Sequence, residues 1–166
     1  KPVTLAGGRL ANEDLFNLKK LTGAAHGRMY QYGVMAGGEL TRSVGLSQDT
    51  HLADLQSGNV ILVVASDLHE EAPVYWLRIK QAVERGATLV VMNARETRLD
   101  GIASHVVRYR YGEESLSIDR LMKENDPAAR AIKKAKGLVI FTGSDGLGVK
   151  DSQAVMDSAA RLLLKT

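Results

Sequence analysis

Three carboxylates and a histidine crowd one short stretch, Ser66-Asp67-Leu68-His69-Glu70-Glu71, directly after an apolar run at residues 60–65. Carboxylates placed so could hold magnesium, which favours carboxylate oxygens together with water and phosphates. They could equally stabilise the amino end of a helix, whose dipole and free N–H groups attract negative charge. A ligand phosphate would seek that same position. A diphosphate would meet the repulsion of Asp67, Glu70 and Glu71, so the acids read as the helix's own cap.

A second set lies in Asn93-Ala94-Arg95-Glu96-Thr97-Arg98. Asn93 could bond a ribose or a base, and the planar fork of Arg95 could pair with a phosphate. Alternatively Arg95 and Arg98 pair with Glu96, Asp100 or the acids of the first stretch; both readings stand open. Gly143, Gly146 and Gly148 form a third set, but their spacing is not the G-x-G-x-x-G of a dinucleotide fingerprint. They read as a flexible connection. His26, His51, His69 and His105 are scattered without an H-x-x-x-H pair, and no G-x-S-x-G elbow occurs. The chain has no cysteine, which excludes disulfides, thiolate zinc sites, ordinary iron–sulfur clusters and a cysteine nucleophile within these residues.

The elements that must position these residues follow from hydrophobic pattern. Residues 60–65 are a continuous branched apolar run, as expected of a strand buried on both faces, and 88–92 read as a second buried strand. Between them, Pro73 suits the first turn of a helix with Tyr75, Trp76, Ile79, Ala82 and Val83 inward, closed by Arg85 and Gly86. Strand, helix and strand make a βαβ unit. Residues 104–111 predict a third strand nearer an edge, and 137–143 another buried strand. Helices are predicted over 113–124, from Asp126 and Pro127 to before Gly137, and at the end, with Val155, Ala159, Leu162 and Leu163 on one face. Near the start, Asn12 can cap a helix carrying Leu15, Phe16, Leu18 and Leu21. Residues 24–50 are rich in glycine without a clear period and read as a long loop resting on a neighbouring domain. Alternation of strands and helices predicts a three-layer α/β/α domain around a mainly parallel, Rossmann-like sheet. In such sheets ligands bind beyond the carboxyl ends of the strands, which selects the loops at 66–72, 93–101 and 143–150.

One domain over 1–166 is the expectation for 166 residues, 45% hydrophobic and 25% charged. The net charge of +3 is small, and Lys133, Lys134 and Lys136, or Arg108 and Arg110, read as solvated faces rather than a nucleic-acid surface. No apolar run approaches the length that crosses a bilayer, so no direct membrane insertion is expected. A chain opening on Lys1 suggests a fragment of a larger multidomain subunit.

Three segments in order carry a resemblance: "NEDLFNLKKL", then the long run from Asn59 through Glu114, then "KKAKGLVIFTGSDGLG". Together they resemble the molybdopterin oxidoreductase superfamily, nearest to the molybdopterin-like carboxy-terminal region of the large iron–sulfur subunit of NADH–quinone oxidoreductases (respiratory complex I). Catalytic members end their first strand in a Gly-Ser-Asn-Pro-like turn contacting the pterin dinucleotide. Here the matching positions are Ala65, Ser66, Asp67 and Leu68. Their second strand ends in Asp-Pro-Arg, matched by Asn93, Ala94 and Arg95, and a further Arg-Pro-Gly-Thr-Asp-like stretch is matched loosely by Arg110, Tyr111, Gly112, Glu113 and Glu114. The resemblance thus implies a degenerate pterin-dinucleotide site at Ser66, Asp67, Asn93, Arg95 and Gly112, without a cofactor in this domain. It also implies iron–sulfur clusters elsewhere in the parent chain, and as partners other domains of that subunit and other subunits of a membrane-associated respiratory complex on the cytoplasmic face. The alternatives are an active molybdopterin-guanine-dinucleotide oxidoreductase, such as a formate dehydrogenase or nitrate reductase, and a free-standing nucleotide-binding domain.

Overall fold

A computed structural model describes residues 1–7, 10–32, 36–45, 51–123, 125–143, 145 and 149–166. Backbone contacts divide the chain into two units, Lys1–Met35 and Ala36–Thr166.

The smaller unit is a βαβ turn of chain: β1 (Val3–Gly7), α1 (Asn12–Ala24) and β2 (Arg28–Tyr32), the strands parallel with Val3 opposite Arg28. Neither strand was legible in the sequence. The start of α1 departs from expectation too. Ala11 is the cap, extended at φ −63° and ψ 156°, and its carbonyl accepts from the Leu15 N–H at 3.0 Å. Asn12 is therefore the first helical residue and caps nothing. Of the predicted stripe, Leu15 and Leu18 are half-buried, while Phe16 and Leu21 face solvent, with the Lys20 ammonium 4.5 Å from the Phe16 ring centroid. Residues 33–35 and 46–50 of the predicted long loop lie outside the described residues; the rest holds β2, a short turn of helix at α2 (Gly38–Leu40) and a π-turn at Thr41–Gly45.

The larger unit is a three-layer α/β/α fold. Its strands are β3 (Asn59–Val64), β4 (Thr88–Met92), β5 (His105–Val107) and β6 (Gly137–Thr142), all parallel, in the order β5-β4-β3-β6. The pleat sorts the central side chains to opposite faces. Val60, Leu62, Val64, Val90 and Met92 pack with Ile118, Leu121, Ile132, Val155 and Leu162, from α5 (Glu114–Lys123), α6 (Pro127–Lys133) and α7 (Val149–Leu163). Ile61, Val63, Leu89 and Val91 turn the other way, onto Ile79 and Ala82 of α4 (Pro73–Glu84) and onto Leu55 and Leu99. This is why residues 60–65 and 89–92 are apolar at every position. β6 reads the same way in sequence but is half-buried throughout, because it has a strand neighbour on one side only among the described residues.

Caps follow the sequence where the side chain can reach. Asp126 accepts from the Ala129 N–H at 2.7 Å, and Pro127 opens α6. Gly86, at φ 94°, closes α4. The acidic stretch behaves differently. It forms its own single turn, α3 (Leu68–Glu71), because a residue before proline is excluded from helical backbone, and Ala72 lies at φ −151°, ψ 71°. Pro73 therefore cuts the acids off from α4, which they do not cap.

Candidate functional site: the carboxyl ends of the strands

The chain reverses its direction of travel across the sheet between β3 and β6, the switch point where open α/β sheets place ligands. At the end of β3, Ala65 is fully buried with φ 49°, the left-handed region that costs an L-residue about 1–2 kcal/mol. Its N–H bonds the Met92 carbonyl at 3.0 Å, and its carbonyl accepts from Asp145 N–H at 2.8 Å. Those two bonds hold the backbone in this conformation. Ala65→Gly is expected to stabilise the fold by about 0.5–1 kcal/mol, relief of strain exceeding the greater entropy loss of glycine; equilibrium denaturation measures it.

Beyond Ala65, two of the loop's donors are taken by its own acid, Glu71. Ser66 Oγ donates to Glu71 Oε2 at 2.7 Å, and the Asp67 N–H reaches Glu71 Oε1 at 3.4 Å. Asp67 is the cap residue of α3, yet its side chain makes no capping bond. The role expected of Asp67 passes to Glu71, folding back from the far end of the turn. Beside it, Arg98 Nη1 lies 2.9 Å from His69 Nε2. Arginine can only donate, so Nε2 accepts and the ring proton sits on Nδ1, which donates to Glu70 Oε1 at 2.9 Å. The ring stands edge-on to Trp76 with centroids 5.2 Å apart.

At the end of β4, Asn93 is 1% exposed. Its Oδ1 accepts from the Arg95 N–H at 3.2 Å, turning the chain, and its Nδ2 lies 3.5 Å from both the Ser66 carbonyl and Asp145 Oδ2. Arg95 is spread between two loops: Nε donates to Asp145 Oδ2 at 2.8 Å and Nη2 to Asp67 Oδ2 at 3.1 Å. Desolvation opposes its charge, but Asp145 and Asp67 outweigh it and raise its pKa further above the ordinary guanidinium value. Asp67 Oδ1, buried on the other side of the carboxylate, has no partner. Thr97 and Asp100 form a reciprocal cap for the turn at Arg98–Ile102, and Arg108 bridges Asp100 and the Asn93 carbonyl at 3.3 Å.

The end of β6 closes the crevice. Gly143 N–H donates to the Val64 carbonyl at 2.8 Å, and a β-carbon at Gly143 would stand 2.4 Å from the Ala65 oxygen and 2.5 Å from Ser66 Cβ. Backbone therefore touches backbone at the switch point. Ser144, Gly146, Leu147 and Gly148 of the glycine-rich loop lie outside the described residues.

Four of the five residues read from the sequence, Ser66, Asp67, Asn93 and Arg95, are joined in one network. Gly112, at φ 92°, is not bonded to them; its N–H donates to Glu114 Oε1 at 3.0 Å. Sequence reasoning missed Asp145 and the folded-back Glu71. Both lay in loops marked by position, but no spacing rule pairs residues 67, 95 and 145. Among the described residues no three His, Asp or Glu side chains could hold a metal ion.

Tyr109 is buried beside this region, its hydroxyl near the Ala94 backbone yet without a hydrogen bond of ordinary geometry. Burial, then the charges of Glu114 and Asp145, push its pKa well above the usual tyrosine value. Below about pH 10 both folded and unfolded chains keep the proton. Above it the unfolded chain ionises first, so this group removes about 1.4 kcal/mol of stability per pH unit until the folded hydroxyl also ionises. Tyr109→Phe is expected to stabilise the fold by about 1 kcal/mol at neutral pH and to flatten the alkaline loss. Denaturation at pH 7 and above pH 10 reads both.

No protein-family model matches this chain, and a search of the curated proteins finds no match. The class defined here is a three-layer α/β/α domain with parallel strand order β5-β4-β3-β6.

Proposed function

We propose that this chain is a non-catalytic structural and docking module in the large iron–sulfur subunit of an NADH–quinone oxidoreductase. Electrons would pass from NADH to quinone through clusters elsewhere in the parent. Its partners would be other domains of that subunit and other subunits of a membrane-associated complex, at the cytoplasmic face of the plasma membrane or the matrix side in mitochondria. No helix among the described residues is long and apolar enough to cross a membrane, so attachment would run through those partners.

The observation that carries the non-catalytic part is Arg95 clamped between Asp67 and Asp145, beside a loop whose Ser66 hydroxyl and Asp67 N–H are taken by Glu71. Phosphates of a pterin dinucleotide fit these residues poorly. They would face three carboxylates, and the guanidinium would have to leave two ion pairs to meet them. The family part rests on the order of the three resembling segments.

Metal analysis and nucleotide extraction of the intact parent enzyme test the reading. Iron without molybdenum or a guanine dinucleotide is the expected result; molybdenum together with the dinucleotide would assign the chain to the active molybdopterin enzymes. One observation favours that alternative, the unpartnered Asp67 Oδ1, which could accept from a ligand hydroxyl or amine. For the free-standing nucleotide-binding alternative, a thermal-shift titration with NAD, FAD, ADP and GDP should give no shift at millimolar ligand. A binder would gain kcal/mol-scale stability there by mass action.

A further inference from the structure

A groove of about 680 Å³ in the larger unit is lined by five consecutive residues of one strand, Leu138 to Thr142. Side chains of a strand alternate between faces, so a cavity touched by every successive residue runs along the strand's edge, not over one face. That edge is the outer side of β6. One wall is α7, through Met156, Ala159 and Leu163, and the other is formed by Leu52, Leu68 and Tyr75. Among the described residues no strand pairs with this side of β6, and no backbone hydrogen bond is made there. A row of N–H and C=O groups without a partner among the described residues, set between two apolar walls, is shaped for another strand. A compact apolar ligand would leave those backbone groups unsatisfied.

The groove also has a sign. Among its described lining residues Glu71 alone carries a formal charge with histidine neutral, and no cation pairs with its carboxylate among the described residues. It stands at the carboxyl end of the strands, where Ser66 and Thr142 also line the groove. We propose that the outer edge of β6 accepts an extended, apolar peptide segment of a partner protein, added as a fifth strand, with a basic side chain placed against Glu71. This deepens the docking half of the reading above and rests on it no further. The metal and nucleotide measurements bear on the strand-end loops, whereas strand addition bears only on β6.

The probes are blocked heptapeptides of alternating valine and threonine with one lysine at either end, and matching peptides with glutamate in its place. Either lysine peptide is expected to bind in fluorescence anisotropy, about threefold to fivefold tighter than its glutamate counterpart, as a partly exposed charge pair warrants. The preferred end reports whether the added strand runs parallel. Binding should slow hydrogen exchange at Leu138, Ile140 and Thr142, whose N–H groups face away from β3 because that of Gly143 faces it. Glu71→Gln, which can still accept from Ser66, should keep binding and lose the discrimination. Ala160→Trp, on the α7 wall, should abolish binding. Absence of binding at millimolar peptide would overturn the proposal, as would binding without protection of β6. Concentration-dependent self-association that protects these amides without peptide would also overturn it, in favour of a second copy of this chain.

Discussion

Gly143→Ala is expected to cost about 3 kcal/mol, the upper part of the range for forcing volume into packed structure. The added methyl has nowhere to go. Its neighbours would be the Ala65 oxygen at 2.4 Å, Ser66 Cβ at 2.5 Å and Ser66 Cα at 2.7 Å. Two of these belong to backbone already fixed by the bonds from Gly143 to Val64 and from Asp145 to Ala65. Relief would require β3 and β6 to part at their carboxyl ends, breaking those bonds and separating Arg95 from Asp145. Gly101→Ala serves as the control, because nothing lies within 4 Å of a β-carbon there, and it should change stability by less than about 0.5 kcal/mol. Urea denaturation distinguishes the two, with an unchanged slope for a purely native-state effect.

Arg95→Met should cost about 2 kcal/mol. Removing one partner of a buried ion pair typically costs about 3–5 kcal/mol, since a charge is left without compensation. Here the Arg95 side chain is 45% exposed while those of Asp67 and Asp145 are 10% and 20% exposed. Part of the penalty is therefore recovered by water, and the methionine keeps the apolar stem packed. Asp67 suffers most, because Oδ1 has no partner and Oδ2 has only Arg95 among the described residues. Arg95→Lys should recover part of the loss: an ammonium can meet one carboxylate but cannot hold both in a fixed fork. Added salt should change the difference little, since half-buried pairs are weakly screened. A midpoint indistinguishable from the unaltered protein would mean that the two carboxylates are solvated in the native state.

The central architecture was legible because burial on both faces writes itself into sequence as unbroken apolar runs. Residues 60–65 and 88–92 correspond to β3 and β4 within one residue, and Pro73, Gly86 and Asp126 mark helix ends through local backbone chemistry. The small parallel pair was not legible. Val3 and Leu5 of β1 are 64% and 74% exposed while Ala6 is buried, so β1 turns its large apolar side chains outward, the reverse of the pattern by which a strand is read. Burial of β6 was overestimated for a related reason, since composition reports what a strand could bury and not whether it has two neighbours. At the candidate site, the three loops follow from the rule about strand ends. The bond between Arg95 and Asp145 does not, because it joins residues 50 positions apart whose meeting depends on the register of the whole sheet.

That register also sets an order of events during synthesis. β3 lies at the centre of the four-stranded sheet, yet one of its two neighbours is made late: Asn59 pairs with Gly137, 78 positions further along. At about 5–20 residues per second, a nascent chain presents one bare flank of β3, with Val60 to Val64 all apolar, for about 4–16 seconds before β6 emerges from the ribosome. The βα units on its other side can pair at once, through β4 and then β5. The half-made domain is thus a three-stranded sheet with its most apolar strand outermost, the species a holding chaperone would meet on the ribosome.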